Sequence, residues 1–411
     1  MFGLGKKKKS KTPPSTPSAA AAPAKETRPG FKTAGEGCTA LVTGSTGFCG
    51  ARLVEMLLER GASTVICMDV AEPPQSLKDR YTKVQSETKG RLIFKHGTKS
   101  GDISSVEAVE AAFSSVDQVD IVFHVAALVG PFHPKEMYYK VNVDGTQNII
   151  DACKKFGVGK LVNSSSPSTR FSGGDVKGLR EDQMPYPEKY VAIYAETKAT
   201  AERAVHEACC PQLLSISVAP HQAYGPHDSL FLPSLMQASG DGKLRIFGKG
   251  DIKISVCYVD NYAHGMLCGA DALYPNSPAL AKYYVVTDGE PQDFWEIINQ
   301  VGMTYGFRDL TTKMHLPVWL LYAVAYVLDF VGMLIGRKFR LTPFTVRMLT
   351  IHRYFSIDNA RKDLKYEPLF GFEEAWKITI EWFRVNWLPK YLESNPKVAM
   401  KLAAQAEEKE D

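Results

Sequence analysis

Short apolar runs alternate along the chain with longer stretches whose apolar residues recur at helical spacing. The runs have the length of buried strands and span 39–42, 64–68, 91–95, 120–127, 160–166, 213–218 and 283–287. Residues 51–60 are typical of the stretches between them, because Leu53, Leu57 and Leu58 share a helical face and Gly61 follows. Repeated strand–helix units predict an α/β fold with a doubly wound parallel sheet, followed by a smaller C-terminal domain.

The turn after the first run carries three glycines at three-residue intervals. A dinucleotide pyrophosphate needs such a turn, because it must approach bare backbone and is attracted by free N–H groups at a helix start. The second run ends in Asp69, at about the 20-residue distance expected of a ribose-binding carboxylate. The pattern therefore predicts a Rossmann dinucleotide site containing Gly44, Ser45, Thr46, Gly47, Phe48, Gly50 and Asp69. The alternative is a structural glycine turn with Asp69 as an ordinary cap at the end of a strand.

Tyr194 and Lys198 form the only Tyr-x-x-x-Lys pattern in the chain. On a helix the two side chains share a face. An ammonium group and a cationic nicotinamide would together lower the pKa of the tyrosine. Tyr194 is then expected to take the proton of an alcohol as hydride leaves its carbon, while Lys198 holds the nicotinamide ribose. Ser166, with Ser165 as the alternative, is predicted to orient the substrate oxygen. The alternative for the Tyr–Lys pair is a surface helix pair without chemistry.

Residues 38–387 resemble the extended short-chain dehydrogenase/reductase superfamily. Besides the glycine turn, the resemblance rests on Asp102, on residues 124–127 (His-Val-Ala-Ala), on residues 142–146 (Asn-Val-Asp-Gly-Thr) and on Ser166, Tyr194 and Lys198. It implies that Asp102 is the acid on the adenine side of the cofactor. It also places Ala126, Asn142, Tyr194 and Lys198 among the cofactor-binding residues.

Within this superfamily the chain resembles the 3β-hydroxysteroid dehydrogenase family. Residues 259–261 with His264 and Gly265, residues 366–369 and the apolar stretch after Leu316 carry this resemblance. One departure is that relatives often have Arg-Pro after the sixth strand, whereas this chain has Ala219-Pro220-His221. Contacts at that strand end are therefore not carried over from the family.

The resemblance implies NAD-dependent oxidation of the 3β-hydroxyl of a 4α-carboxysterol to the ketone, with loss of carbon dioxide. NAD is favoured over NADP because Asp69 would bind ribose hydroxyls and repel a 2′-phosphate. The alternatives are a 3β-hydroxysteroid dehydrogenase with Δ5-4 isomerase activity, a nucleotide-sugar epimerase, and a redox-sensing protein without enzymatic activity. The candidate ligands of the sterol carboxylate are His133, Arg170 and His221. The alternative for each is a structural or solvated side chain.

Charge and composition suggest how the chain is organised. Residues 1–35 hold eight Lys or Arg and one Glu, whereas the remainder holds 41 basic and 44 acidic residues. We therefore predict a disordered basic tail over 1–35 and no nucleic-acid partner. No Cys-x-x-Cys occurs, and no metal site is expected. An NAD-binding domain is predicted over 36–275, with 220–245 contributing to the substrate pocket. A substrate domain over 276–395 and a charged tail over 396–411 follow.

The segment 316–336 contains one charged residue, Asp329, and is about long enough to span a bilayer. Three readings are open: a helix lying in the membrane interface, a buried core helix, and a transmembrane span. The interfacial reading places the protein on the cytosolic face of the endoplasmic reticulum, or on lipid droplets, with a sterol entering from lipid. Residues Lys6 to Lys9 are either a solvated tail or an electrostatic tether. A homodimer is one assembly that the sequence allows.

Overall fold

The computed structural model describes residues 33–130, 133–337, 339 and 341–407. Most of the predicted basic tail, including Lys6 to Lys9, therefore lies outside the described residues, as do Lys338 and Arg340. The strands are β1 Thr39–Thr43, β2 Thr64–Asp69, β3 Arg91–His96, β4 Ile121–His124, β5 Lys160–Ser164, β6 Val176–Leu179, β7 Leu214–Pro220, β8 Ala223–Tyr224, β9 Lys253–Ile254, β10 Cys257–Tyr258, β11 Tyr283–Val286, β12 Gln292–Asp293 and β13 Arg353–Phe355.

Helices connect these strands and continue beyond them. They are α1 Phe48–Glu59, α2 Gln75–Glu87, α3 Val106–Phe113, α4 Lys135–Tyr138, α5 Gly145–Lys155, α6 Ile193–Glu207, α7 Phe231–Gly240, α8 Val259–Asp271, α9 Phe294–Thr304, α10 Val318–Ile335, α11 Pro343–Met348, α12 Phe372–Asn386, α13 Leu388–Ser394 and α14 Pro396–Glu407. Helix α14 lies in the segment that we had predicted as a charged tail.

Seven parallel strands form the central sheet in the order β11-β7-β5-β4-β1-β2-β3. The chain order reverses between β1 and β4, so a crevice opens at their carboxyl ends, where doubly wound folds bind ligands. The predicted α/β fold with a doubly wound parallel sheet is confirmed. The edge strand β11 follows residue 275, so the C-terminal segment also contributes to this sheet.

Alternation along the strands explains why the sheet is covered on both faces. In β1, Val42 packs into a cluster with α1 and α8, whereas its neighbour Leu41 packs into a second cluster with α3, α5 and α6. In β2, Val65 and Ile66 divide between the same two clusters. Successive side chains of a strand point to opposite faces. A strand with apolar residues at every position must therefore be buried between two layers of helices.

A smaller layer lies over the carboxyl ends of the strands. Its sheet, in the order β12-β9-β13-β6, brings together strands that are far apart in sequence. A separate apolar cluster, including Met236, Trp295, Trp376 and Phe383, joins α7, α9 and α12. This layer forms the far wall of the cavity described below. The predicted division at residue 275 stays a prediction.

Helix α10 is the apolar helix predicted from residues 316–336. Pro317 precedes it, and Gly336 ends it in the left-handed conformation with φ +65°. By length and composition it could cross a membrane, but only 17% of it is buried. Leu321 and Ala325 contact Val346 of α11, and most of the other apolar side chains are exposed. The buried-core reading of this segment is therefore wrong.

Candidate active site

The glycine turn after β1 brings bare backbone close to the end of β4. Gly44 has φ +72°, and a Cβ atom there would lie 2.8 Å from the Ala126 nitrogen. A Cβ atom on Gly50 would lie 2.0 Å from the Gly44 carbonyl oxygen. Gly47 precedes α1, so no side chain covers the N-terminus of that helix. The turn thus offers a close approach and a helix N-terminus, the two features that a pyrophosphate requires.

The two predicted adenosine-side acids lie on this side of the crevice. Asp69 accepts hydrogen bonds from the backbone N–H groups of Thr46 (2.9 Å) and Ala71 (2.9 Å), which fixes its carboxylate against the glycine turn. Asp102 Oδ1 accepts from both the N–H (2.8 Å) and the hydroxyl (2.7 Å) of Ser104. Both acids line the cavity that begins at the glycine turn.

Other residues predicted to bind the cofactor are buried behind the residues that line the cavity. The Ser45 side chain is buried and contacts His96 Nε2 at 3.2 Å. Asn142 is also buried: it accepts from the Leu128 N–H (2.8 Å) and donates to the Thr197 hydroxyl (3.2 Å). Neither Ser45, Thr46 nor Asn142 lines the cavity, whereas Gly44, Gly47, Phe48, Gly50 and Ala126 do. The structure thus gives Asn142 a positioning role between the end of β4 and α6.

His124 holds the end of β4 in place. It bridges the Thr43 hydroxyl (2.9 Å, Nδ1) and the Thr146 hydroxyl (2.9 Å, Nε2). Burial, with a smaller contribution from the Lys198 charge, lowers the pKa of His124 to about 3. The ring is therefore neutral at physiological pH and serves as structural support beneath the crevice.

Tyr194 and Lys198 lie one turn apart near the start of α6, and both line the cavity. Lys198 Nζ donates to the Ser164 carbonyl oxygen at 2.7 Å, and burial lowers the pKa of this lysine to about 8. Burial raises the pKa of Tyr194 to about 12, partly offset by a hydrogen bond with Ser166. The lowering that we expected from Lys198 is thus not seen in the protein alone, and the cationic nicotinamide would have to supply it.

The three serines after β5 have different partners. Ser164 Oγ accepts from the Tyr262 hydroxyl at 2.9 Å. The Ser165 hydroxyl donates to Glu202, which is fully buried. Ser166 opposes the rise of the Tyr194 pKa by stabilising the phenolate, and its Oγ accepts from the Ser168 N–H at 3.2 Å. These placements favour Ser166 over Ser165 as the group that orients a substrate oxygen.

Glu202 is a residue that sequence reasoning missed. It accepts from Arg170 Nη2 (2.5 Å) and from the Tyr186 hydroxyl (2.6 Å), and the Arg170 guanidinium lies 3.6 Å from the centre of the Tyr186 ring. The Arg170 charge is therefore already compensated, which makes it a poor ligand for a second carboxylate. Glu202 lies four residues after Lys198. An acidic residue on a helix is usually exposed, so the sequence did not indicate that Glu202 would be buried and paired with Arg170.

The glycine turn, the two acids, Ser166, Tyr194 and Lys198 line one large cavity of about 1190 Å³. Typical small-molecule sites occupy about 300–1000 Å³, so this cavity has room for a dinucleotide together with a second ligand. The wall away from the glycine turn is largely apolar and includes Leu230, Leu235, Phe344, Met348 and Phe355. Phe344 and Met348 belong to α11, which packs against the exposed helix α10.

Comparison with known proteins agrees with this geometry. A family model described as the 3-beta hydroxysteroid dehydrogenase/isomerase family matches residues 41–318. The chain belongs to this family. It is 32% identical over 356 residues to the human sterol-4-alpha-carboxylate 3-dehydrogenase, decarboxylating, covering 84% of this chain and 88% of that protein. It is 31% identical over 338 residues to a 2-alkyl-3-oxoalkanoate reductase of Stenotrophomonas maltophilia, covering 82% of this chain and 96% of that protein.

Solved structures resemble this 3-beta hydroxysteroid dehydrogenase/isomerase family member in fold. A UDP-glucuronic acid 4-epimerase from Bacillus cereus, solved in complex with NAD, superposes with a TM-score of 0.62. The alignment covers 84% of this chain and 98% of the epimerase at 18% identity. At that identity the likeness shows the extended Rossmann-like fold alone.

The structure also shows what occupies the strand end where this family member departs from the usual Arg-Pro. Ala219 is fully buried in an apolar cluster with Met184, Val285 and Phe355. His221, two residues later, lines the cavity and donates from Nδ1 to the Ser255 carbonyl oxygen at 2.6 Å. His133 packs edge-on against Tyr138 and does not line the cavity.

Proposed function

We propose that this protein uses NAD to oxidise the 3β-hydroxyl of a sterol that carries a 4α-carboxylate, and that carbon dioxide is then lost, as in sterol C4 demethylation. The observation that carries the proposal is the meeting of Tyr194, Lys198 and Ser166 at the centre of a cavity. One end of that cavity is a dinucleotide turn, and the other is an apolar chamber. The names of the relatives support the substrate class.

The described residues fit NAD. Gly44 leaves space that any Cβ atom would fill, and the N-terminus of α1 faces the same turn. Asp69 and Asp102 place carboxylates where ribose hydroxyls and an adenine amine would bind. The fixed Asp69 carboxylate disfavours the 2′-phosphate of NADP by charge repulsion. The bound cofactor would accept the hydride from the carbinol carbon.

The chain itself handles the proton. Ser166 and Tyr194 line the same part of the cavity and can both contact the 3-hydroxyl oxygen of the sterol. In its phenolate form, which a bound nicotinamide cation would favour, Tyr194 accepts the hydroxyl proton as general base. Lys198, held by the Ser164 carbonyl oxygen, keeps two further N–H donors for the nicotinamide ribose and places positive charge beneath the tyrosine. Burial in this largely apolar site strengthens each of these interactions.

Oxidation produces a β-keto acid. The bond between C4 and the carboxylate carbon then breaks, and its electron pair moves into the enolate of the new ketone. A proton added at C4 completes the product. The protein needs only to make the ketone, because the ketone itself accepts these electrons. The bacterial relative is named for a 3-oxo acid, so both named substrate classes place a carboxylate on the carbon next to the reacting carbon.

We further propose that α10 lies in the membrane interface, on the cytosolic face of the endoplasmic reticulum or on lipid droplets. Its exposed apolar side chains are hard to reconcile with contact with water alone. The Asp329 side chain is exposed and would cost about 2.5–3.5 kcal/mol at the centre of a bilayer, which favours the interface over a span. Because α11 joins α10 to the cavity wall, a sterol can enter from lipid. The homodimer stays a prediction.

The discriminating experiment supplies the purified full chain with NAD and one of three substrates. These are a 4α-carboxy-3β-hydroxysterol, a Δ5-3β-hydroxysteroid without a carboxylate, and a UDP-sugar. We expect NADH from the first at a kcat/KM at least tenfold above the second, and no conversion of the third. Isomerisation of the Δ5 steroid at comparable efficiency would instead support the dehydrogenase/isomerase reading. Turnover of the UDP-sugar would support the epimerase reading.

A further inference from the structure

An arginine that sequence reasoning did not single out lies in the cavity wall. Arg353 is the first residue of β13, in the small sheet over the carboxyl ends of the main strands. Its Nη2 donates to the Met348 carbonyl oxygen at 3.0 Å, and its Nη1 lies 3.4 Å from His221 Nε2. Its Nε is buried without a hydrogen-bond partner among the described residues.

Two other half-buried arginines have carboxylate partners, which Arg353 lacks among the described residues. Arg52 pairs with Asp260 and Arg170 pairs with Glu202. Within the described part of the chain, no carboxylate forms an ion pair with Arg353. Burial alone lowers its pKa to about 10, so it remains a cation at physiological pH. An uncompensated buried charge is costly to the folded state, and such groups concentrate at functional sites.

His221 keeps the guanidinium in place without competing for charge. Its Nδ1–H donates to the Ser255 carbonyl oxygen, which leaves Nε2 as an acceptor facing Arg353. Burial, with the Arg353 charge second, lowers the pKa of His221 to about 3, so the ring stays neutral. His221 is thus a positioning residue.

Arg353 and Ser166 line the same cavity, and His221 connects them through the end of a strand next to β5. Strands β5 and β7 are parallel neighbours in which Ser164 pairs with Val218. The Ser165 N–H still donates to the Val218 carbonyl oxygen at 2.8 Å, so Ser166 and His221 both lie just past the ends of two adjacent strands, which are about 4.8 Å apart. Arg353 Nη1 lies 3.4 Å from His221 Nε2, and Arg353, His221 and Ser166 all line the same cavity. In a 4α-carboxysterol the carboxylate lies on the carbon next to the carbinol. A ligand of the carboxylate must therefore lie in the part of the cavity that adjoins Ser166.

We propose that Arg353 binds the 4α-carboxylate of the substrate and selects carboxylated sterols over those that lack the group. This inference rests on the proposed function and names a specificity-determining residue for it. A guanidinium matches a carboxylate with two parallel N–H donors. The other cations of the cavity are less suited: Arg170 is paired, Lys198 is committed to Ser164 and the cofactor, and Lys140 is exposed.

The test compares unaltered full-length protein with Arg353→Met and Arg353→Lys. Each is assayed for NADH formation from a 4α-carboxy-3β-hydroxysterol and from the matching sterol with a 4α-methyl group. We expect Arg353→Met to raise KM for the acid by about tenfold to a hundredfold, the effect of losing a hydrogen bond to a charged group. Turnover of the methyl sterol and NADH affinity should change less than twofold, and Arg353→Lys should recover part of the loss.

Two further measurements separate recognition from folding. Since Met removes an unpaired buried charge, the ligand-free Arg353→Met protein should melt at the same temperature as the unaltered protein or higher. Lys140→Met is the control at the exposed lysine of the cavity wall, and it should leave the KM for the acid unchanged. Equal losses for both sterols in Arg353→Met, an unchanged KM for the acid, or a loss in Lys140→Met instead would each overturn the inference. Failure of the unaltered protein to oxidise the acid would contradict the proposed function itself.

Discussion

The exposed face of α10 allows a quantitative test of membrane association. Val327, Phe330 and Leu334 lie on one helical face and are 61%, 59% and 66% exposed. Fully burying such a side chain stabilises by about 1.5–3 kcal/mol, so each exposed portion should contribute about 1–2 kcal/mol in lipid. Changing all three to Ser should therefore weaken binding by about 3–6 kcal/mol, or roughly 10²- to 10⁴-fold in partitioning.

The assay is flotation of the full chain with vesicles of phosphatidylcholine and anionic phosphatidylserine at low and high salt. The control variant changes Val106, Met303 and Val385 to Ser, because these side chains are comparably exposed (50%, 51% and 59%) on other elements. We expect the control to float like the unaltered protein and the α10 variant to remain in the aqueous fraction. Equal flotation of both variants, or no flotation of the unaltered protein, would refute the reasoning. Release by high salt alone would point to the Lys6 to Lys9 cluster instead.

Three further predictions concern the site and its supports. Ser166→Ala should lower kcat about tenfold or more with little change in melting temperature, whereas Ser165→Ala should mainly lower the melting temperature; the reverse pattern would exchange their roles. Asp69→Ala should weaken NAD binding about tenfold and relax the rejection of NADP, measured by fluorescence titration; an unaltered protein that already prefers NADP would contradict this role. Burial lowers the pKa of His124 to about 3 in the folded protein, so between about pH 6.5 and pH 3 this histidine is protonated only in the unfolded chain. The free energy of unfolding should therefore fall as pH drops below about 6.5. That loss should approach about 1.4 kcal/mol per pH unit for this group in urea unfolding, and His124→Gln should make the profile shallower.

The central sheet could be predicted from the chain because its signals are local. The apolar run that includes Val42 and the glycine at position 44 specify a buried strand and a turn within a few residues. The same is true of Tyr194 and Lys198, which one helical turn brings together. Local sequence patterns were therefore sufficient to predict both the fold class and the Tyr194–Lys198 pair at the centre of the site.

The rest depended on contacts between distant segments. Arg353 joins the site only because β13 pairs with β6 and β9, and short strands of this kind have no periodicity of their own. Glu202 accepts a hydrogen bond from Ser165 only because tertiary packing brings the two buried side chains together. Helix α10 has the composition of both a core helix and a membrane helix, and only its exposure in the fold separates them. The composition of a helix shows how much apolar surface it has. It does not show whether other parts of the fold bury that surface.

The most direct test of the account incubates the full chain with NAD and a 3β-hydroxysterol labelled with ¹³C in its 4α-carboxylate. NADH and labelled carbon dioxide are then followed together. We predict equal amounts of both products, with neither formed by Tyr194→Phe although that variant still binds NADH. Carbon dioxide without NADH, or normal turnover by Tyr194→Phe, would contradict the claim that oxidation by this tyrosine-centred site triggers the loss of the carboxylate.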